Sequence, residues 1–112
     1  MQRRQFIYTA AAAAAASSFS GMTMAQDTSR PLRIVVPFPA GGPTDMVPRN
    51  MQDVLIKLLG GQPVVIENKA GAGGSIGMAE VARATDGVTF GIATLSTHGV
   101  NPAVFKKLPY DA

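Results

Sequence analysis

The sequence predicts an α/β layered domain built on a parallel sheet. Two observations carry this reading. Short apolar runs alternate with amphipathic helical stretches, in the order β-α-β-α-β with a short helix at the end. Each passage from strand to helix runs through a polar loop rich in glycine, proline, serine or threonine. Such alternation implies parallel strands joined by right-handed crossovers. With no cysteine in the chain, disulfides and thiolate metal sites are excluded, and the fold must rest on core burial. A chain of this size buries only roughly 60–65% of its unfolded surface, so its stability is marginal.

The first 25 residues read as an export signal. Arg3 and Arg4 form a positive start, Phe6 to Ala16 an apolar stretch, and Thr23-Met24-Ala25 offers the small residues of a cleavage site. The apolar stretch is too short to cross a bilayer core of about 30 Å. "RRQF" resembles the twin-arginine export motif, with an ordinary Sec signal as the alternative. Removing Arg3 and Arg4 from the ten basic residues leaves eight against seven acidic ones. The mature chain is therefore near neutral and has no basic patch suited to nucleic acid.

Residues 26–112 carry the domain. Leu32 to Pro37 is an apolar run with one arginine, as expected of a central strand. Val47, Met51, Val54, Leu55 and Leu58 recur on one side of a helix over 45–59, with Arg49, Gln52, Asp53 and Lys57 opposite. Pro48 falls in the expected first turn, and Gly60-Gly61 ends the helix. Pro63 to Glu67 is the second strand, and 75–84 the second helix. Asp86-Gly87 marks a turn, and Val88 to Thr94 the third strand. "LSTHGVNP" reads as a polar loop, and Ala103 to Lys106 as a short helix.

In parallel sheets, ligands bind beyond the C-terminal ends of the strands. "PFPAGGPTD" lies there, at the start of the first helix. A helix N-terminus exposes free N–H groups and a partial charge of roughly +0.5. Gly41 and Gly42 leave that backbone accessible, the prolines stiffen it, and Thr44 or Asp45 can cap the helix. The stretch is a candidate cradle for a carboxylate or phosphate; a tight turn with an N-cap explains it equally well. "GAGGSIG" (71–77) has the spacing G-x-G-x-x-x-G, and no acid ends the following strand, so it departs from the dinucleotide fingerprint. Thr94, Ser96, Thr97 and Asn101 place neutral polar groups at the same edge. His98 stands alone, as an exposed loop residue would. No G-x-S-x-G elbow and no carboxylate pair at a telling spacing is present, so no enzyme is expected, and neither a metal nor another cofactor.

The stretches "RIVVPFPAGGPTDMVPR", "QPVVIENKAGAGGSIGMAEVARA", "DGVTFGIAT" and "NPAVFKKLPYD" resemble successive landmarks of the tripartite tricarboxylate transporter solute-binding receptors, the Bug family. Pro48, the "ATDG" link and Val88 depart from the usual pattern. The resemblance implies a type II periplasmic binding-protein fold, represented here by an incomplete N-terminal lobe without its second lobe. It implies a periplasmic receptor that captures a small organic carboxylate and passes it to membrane permease subunits, itself not inserted in the membrane. Carried over by motif, the ligand contacts are Phe38, Ala40, Gly41, Gly42, Thr44 and Asp45, with Ser96, Thr97 and Asn101 from the third loop. The alternatives are a truncated, non-functional remnant and a nucleotide-binding α/β enzyme domain.

Overall fold

A computed structural model describes residues 29–112. The segment read as an export signal lies outside them. Strands β1 (Leu32–Val36), β2 (Val64–Asn68) and β3 (Thr89–Gly91) form one parallel sheet in the order β2-β1-β3. Helix α1 (Pro43–Leu58) joins β1 to β2, and α2 (Ser75–Arg83) joins β2 to β3. A π-helical turn, Ser96–Val100, runs directly into the short α3 (Asn101–Val104). The expected order and parallel pairing are therefore present.

β1 is central, with a strand on each side, and its Ile34, Val35 and Val36 are all buried. Its single charge, Arg33, is accommodated by two carboxylates. The guanidinium donates to Glu67 on β2 (2.6 and 3.2 Å) and to Glu80 on α2 (2.8 Å). Those partners, Glu67 foremost, raise the Arg33 pKa further and hold it charged. α2 then lies very close to the end of β1. A side chain at Gly77 would meet the Lys69 carbonyl at 2.9 Å and the Pro37 Cα at 3.0 Å, so only glycine fits.

Four details differ from expectation. α1 starts at Pro43, two residues early, because proline suits the first helical position. Pro48 consequently lies inside the helix rather than in its first turn, and has no N–H to offer the Thr44 carbonyl. β3 is short, Thr89–Gly91, rather than running on to Thr94. Before it, Asp86 turns the chain by accepting the Val88 and Thr89 amides. The 94–102 stretch is helical rather than an open loop, because Thr97 and Asn101 are pulled inward by bonds described below.

The fourth difference is the roll of α1. Val47, Met51, Val54 and Leu58, which with Leu55 form one apolar side of the helix, are all at least half exposed, Leu58 by 77%. The sheet side carries Asp45, Pro48 and Gln52 instead, with Leu55 and Ile56 half-buried. Polar pins set this roll. Gln52 donates to the Val64 carbonyl (2.7 Å), and the buried Asp45 binds Asn68 at the end of β2 (2.9 Å).

Candidate functional site

Three loops meet at the C-terminal edge of the sheet. The first leaves β1 through 37–42, the second leaves β2 through 69–74, and the third leaves β3 through 92–95. Gly74 marks their meeting point. A methyl there would strike the Thr97 methyl at 2.6 Å and approach Pro37 and Phe38 at 3.2 and 3.4 Å; its φ of +89° also favours glycine. The glycines of "GAGG" thus serve packing. Gly74 is buried, and its amide donates to the Gly71 carbonyl (3.0 Å).

The first loop is held by a buried carboxylate. Asp45, 1% exposed, accepts the Gly41 amide (2.9 Å), the Arg49 Nε (2.7 Å) and the Asn68 Nδ2 (2.9 Å). Asn68 also donates to the Phe38 carbonyl (3.1 Å) and accepts from Arg49 (2.9 Å). Arg49 first, then Gly41 and Asn68, pull the Asp45 pKa down to about 2. Asp45 was expected as a cap or a ligand contact. It is instead an internal anion that closes the loop onto α1, and Arg49 balances its charge, so the helix N-terminus keeps its positive field.

The remaining donors divide cleanly. The Gly41 amide is taken by Asp45, and the Gly42 amide makes a long bond to the Pro39 carbonyl (3.4 Å). The amides of Phe38, Ala40 and Thr44, and the Thr44 hydroxyl, have no partner among the described residues. Ala40 and Gly41 are exposed; Phe38, Gly42 and Thr44 are half-buried. The structure therefore brings Phe38, Ala40, Gly41, Gly42 and Thr44 together on one rim, where the N–H groups of Phe38, Ala40 and Thr44 are free and those of Gly41 and Gly42 are bonded within the fold.

In the third loop, Ser96 is exposed with a free hydroxyl, whereas Thr97 and Asn101 are buried. The Thr97 hydroxyl is engaged with the Thr94 amide (2.9 Å) and carbonyl (3.1 Å) and with His98 Nδ1 (2.8 Å). Asn101 donates to the Gly73 carbonyl (2.9 Å), Ser75 and the Tyr110 hydroxyl (3.2 Å each). Tyr110 in turn donates to the Thr97 carbonyl. His98 is exposed, with its ring 5.7 Å from that of Tyr110. Sequence reasoning missed Asn68, Arg49 and Tyr110. An asparagine ending a strand opposite an acid is the signal that could have marked the first two. Among the described residues, no cluster of three His, Cys, Asp or Glu could hold a metal, and no helix is long and apolar enough to cross a membrane.

Comparison with known proteins places these features in context. Residues 47–112 match the family model for the tripartite tricarboxylate transporter family receptor. A UPF0065 protein of Bordetella pertussis is 43% identical over 83 residues, covering 73% of this chain and 25% of its own length. BugT of the same organism is 42% identical over 84 residues, covering 73% and 26%. Among solved structures, MatC from Rhodopseudomonas palustris with bound malate superposes with a TM-score of 0.68 at 47% identity, covering 73% of this chain and 28% of that one. The chain spans about a quarter of the length of the curated relatives it matches.

Proposed function

The chain belongs to the tripartite tricarboxylate transporter receptor family, and on that footing we propose that it supplies the carboxylate-binding rim of a periplasmic solute receptor. The receptor would capture a small organic acid and deliver it to membrane permease subunits. One observation carries the proposal: the free amides of Phe38, Ala40 and Thr44, with the Thr44 hydroxyl, surround the N-terminus of a 16-residue helix. Hydrogen bonds from such groups favour a carboxylate, and the helix field adds to them. Ser96 contributes a hydroxyl from the third loop. Gly41 and Gly42 keep the rim open. Asp45, Thr97 and Asn101 hold the loops in place rather than touch the ligand, because their polar atoms are already bonded within the fold. The malate bound by the relative MatC is consistent with this ligand class.

Donors on an open rim compete with water, so a chain of this extent binds weakly, in the millimolar range expected for about 4 kcal/mol. Titration of the ¹⁵N-labelled chain with malate tests the proposal. Saturable shifts are expected at Phe38, Ala40, Thr44 and Ser96, and no response to malamide, which lacks both charges. Thr44→Val should weaken malate about tenfold by removing one bond to a charged group. Equal response to malate and malamide, or shifts confined to other residues, would sink the assignment.

A further inference from the structure

A cavity lies between α2 and the chain at 105–109, with Ala72 of the second loop also lining it. Its volume is about 350 Å³, at the lower end for a small-molecule site. Ile76, Ala79, Phe105 and Leu108 give it an apolar lining. The charged residues that line it are Arg83 and Lys107, and no acid does. Neither cation has an ion-pair or hydrogen-bond partner among the described residues. None of these residues belongs to the carboxylate rim.

The combination selects an occupant. A purely apolar molecule would cover the lining but make no contact with the two exposed cations at its margin. A small dianion would meet the cations but leave the lining wet. An amphipathic monoanion satisfies both: its charged head meets Arg83 and Lys107, and its hydrocarbon body lies on Ile76, Ala79, Phe105 and Leu108. We propose that this cavity is a second ligand site, which takes a medium-chain monocarboxylate. Each buried methylene contributes about 0.8 kcal/mol, so chain length sets affinity, and the two cations select the acid over its neutral analogue.

Paired titrations of the full 112-residue chain with octanoate and 1-octanol test this, read by ¹⁵N amide shifts. Octanoate should produce saturable shifts at Ile76, Ala79, Phe105 and Leu108, and bind at least tenfold more tightly than 1-octanol. In the exposed double variant Arg83→Gln/Lys107→Gln that preference should vanish while 1-octanol binding persists. Ala79→Leu, which fills the cavity, should abolish both. The proposal is overturned by equal affinity for acid and alcohol, by octanoate shifts confined to 38–44, or by absence of saturable shifts at the four cavity positions. Octanoate at the rim alone would leave the first proposal standing, and malate shifts at the rim are unaffected by the cavity variants, so the two can fail separately.

Discussion

Asp45 shows how one residue can look like a ligand contact and act as scaffold. Its carboxylate lies in the first turn of α1 and draws its bonds from Gly41, Arg49 and Asn68. Its folded pKa of about 2 lies below the ordinary value of 3.8. A depressed carboxylate pKa stabilises the fold above the unfolded value, and that stabilisation is lost as pH falls through the folded one. Urea unfolding should therefore show a gap between the native chain and Asp45→Asn that is constant above about pH 5 and closes between roughly pH 4 and pH 2. A gap that persists at pH 2 would mean that the carboxylate charge is not what matters. Gly77 offers a steric test. The atoms that a Cβ would meet are mostly backbone or ring, and cannot yield as a flexible side chain could. Gly77→Ala should cost about 1–3 kcal/mol by denaturation, despite the better helix propensity of alanine.

The roll of α1 is where periodicity misleads. Val47, Met51, Val54 and Leu58 form an apolar stripe that any helical wheel would bury, and the structure turns it outward. The wheel reports that an apolar side exists; it does not report which neighbour covers it. Two hydrogen bonds, from Asn68 to Asp45 and from Gln52 to the Val64 carbonyl, orient the helix, and in neither pair are the residues close in sequence. Mutational costs should follow the structure. Leu58→Lys should change stability by less than about 0.5 kcal/mol, as at an open surface position. Ile56→Ala, half-buried toward the sheet, should cost about 1–2 kcal/mol. The reverse ranking in chemical denaturation would show that the stripe is the packed side.

In the molecule as a whole, the stripe on α1 leaves Val47, Met51, Val54 and Leu58 exposed, apolar surface of the kind that drives association. Left uncovered, the stripe should drive self-association. Sedimentation velocity over a tenfold concentration range is expected to show reversible growth in mass, suppressed in Val54→Lys/Leu58→Lys. A monomer at all concentrations would argue that the stripe is too small or too dispersed to act. The small core, centred on Ile34, Val35, Val36, Val64 and Met78, also predicts low resistance to urea.

Much of the architecture was legible from residues alone. Apolar runs separated by helical stretches specify a parallel sheet, because a crossover of that length can return only to a parallel neighbour, and the rule for such sheets locates the loops at one edge. The family landmarks were legible for the same reason, being local strings. Which polar atoms at that edge remain free was not. Asp45, Thr97 and Asn101 read as exposed donors and acceptors until the chain is folded. Some of their partners, such as Gly41, Arg49 and Thr94, are local, but Asn68, Gly73 and Ser75 come from other segments. A hydrogen bond is satisfied by distance in space, and only the assembled fold shows that Asp45 meets Asn68 and that Asn101 meets Gly73 and Ser75, each more than twenty residues away along the chain.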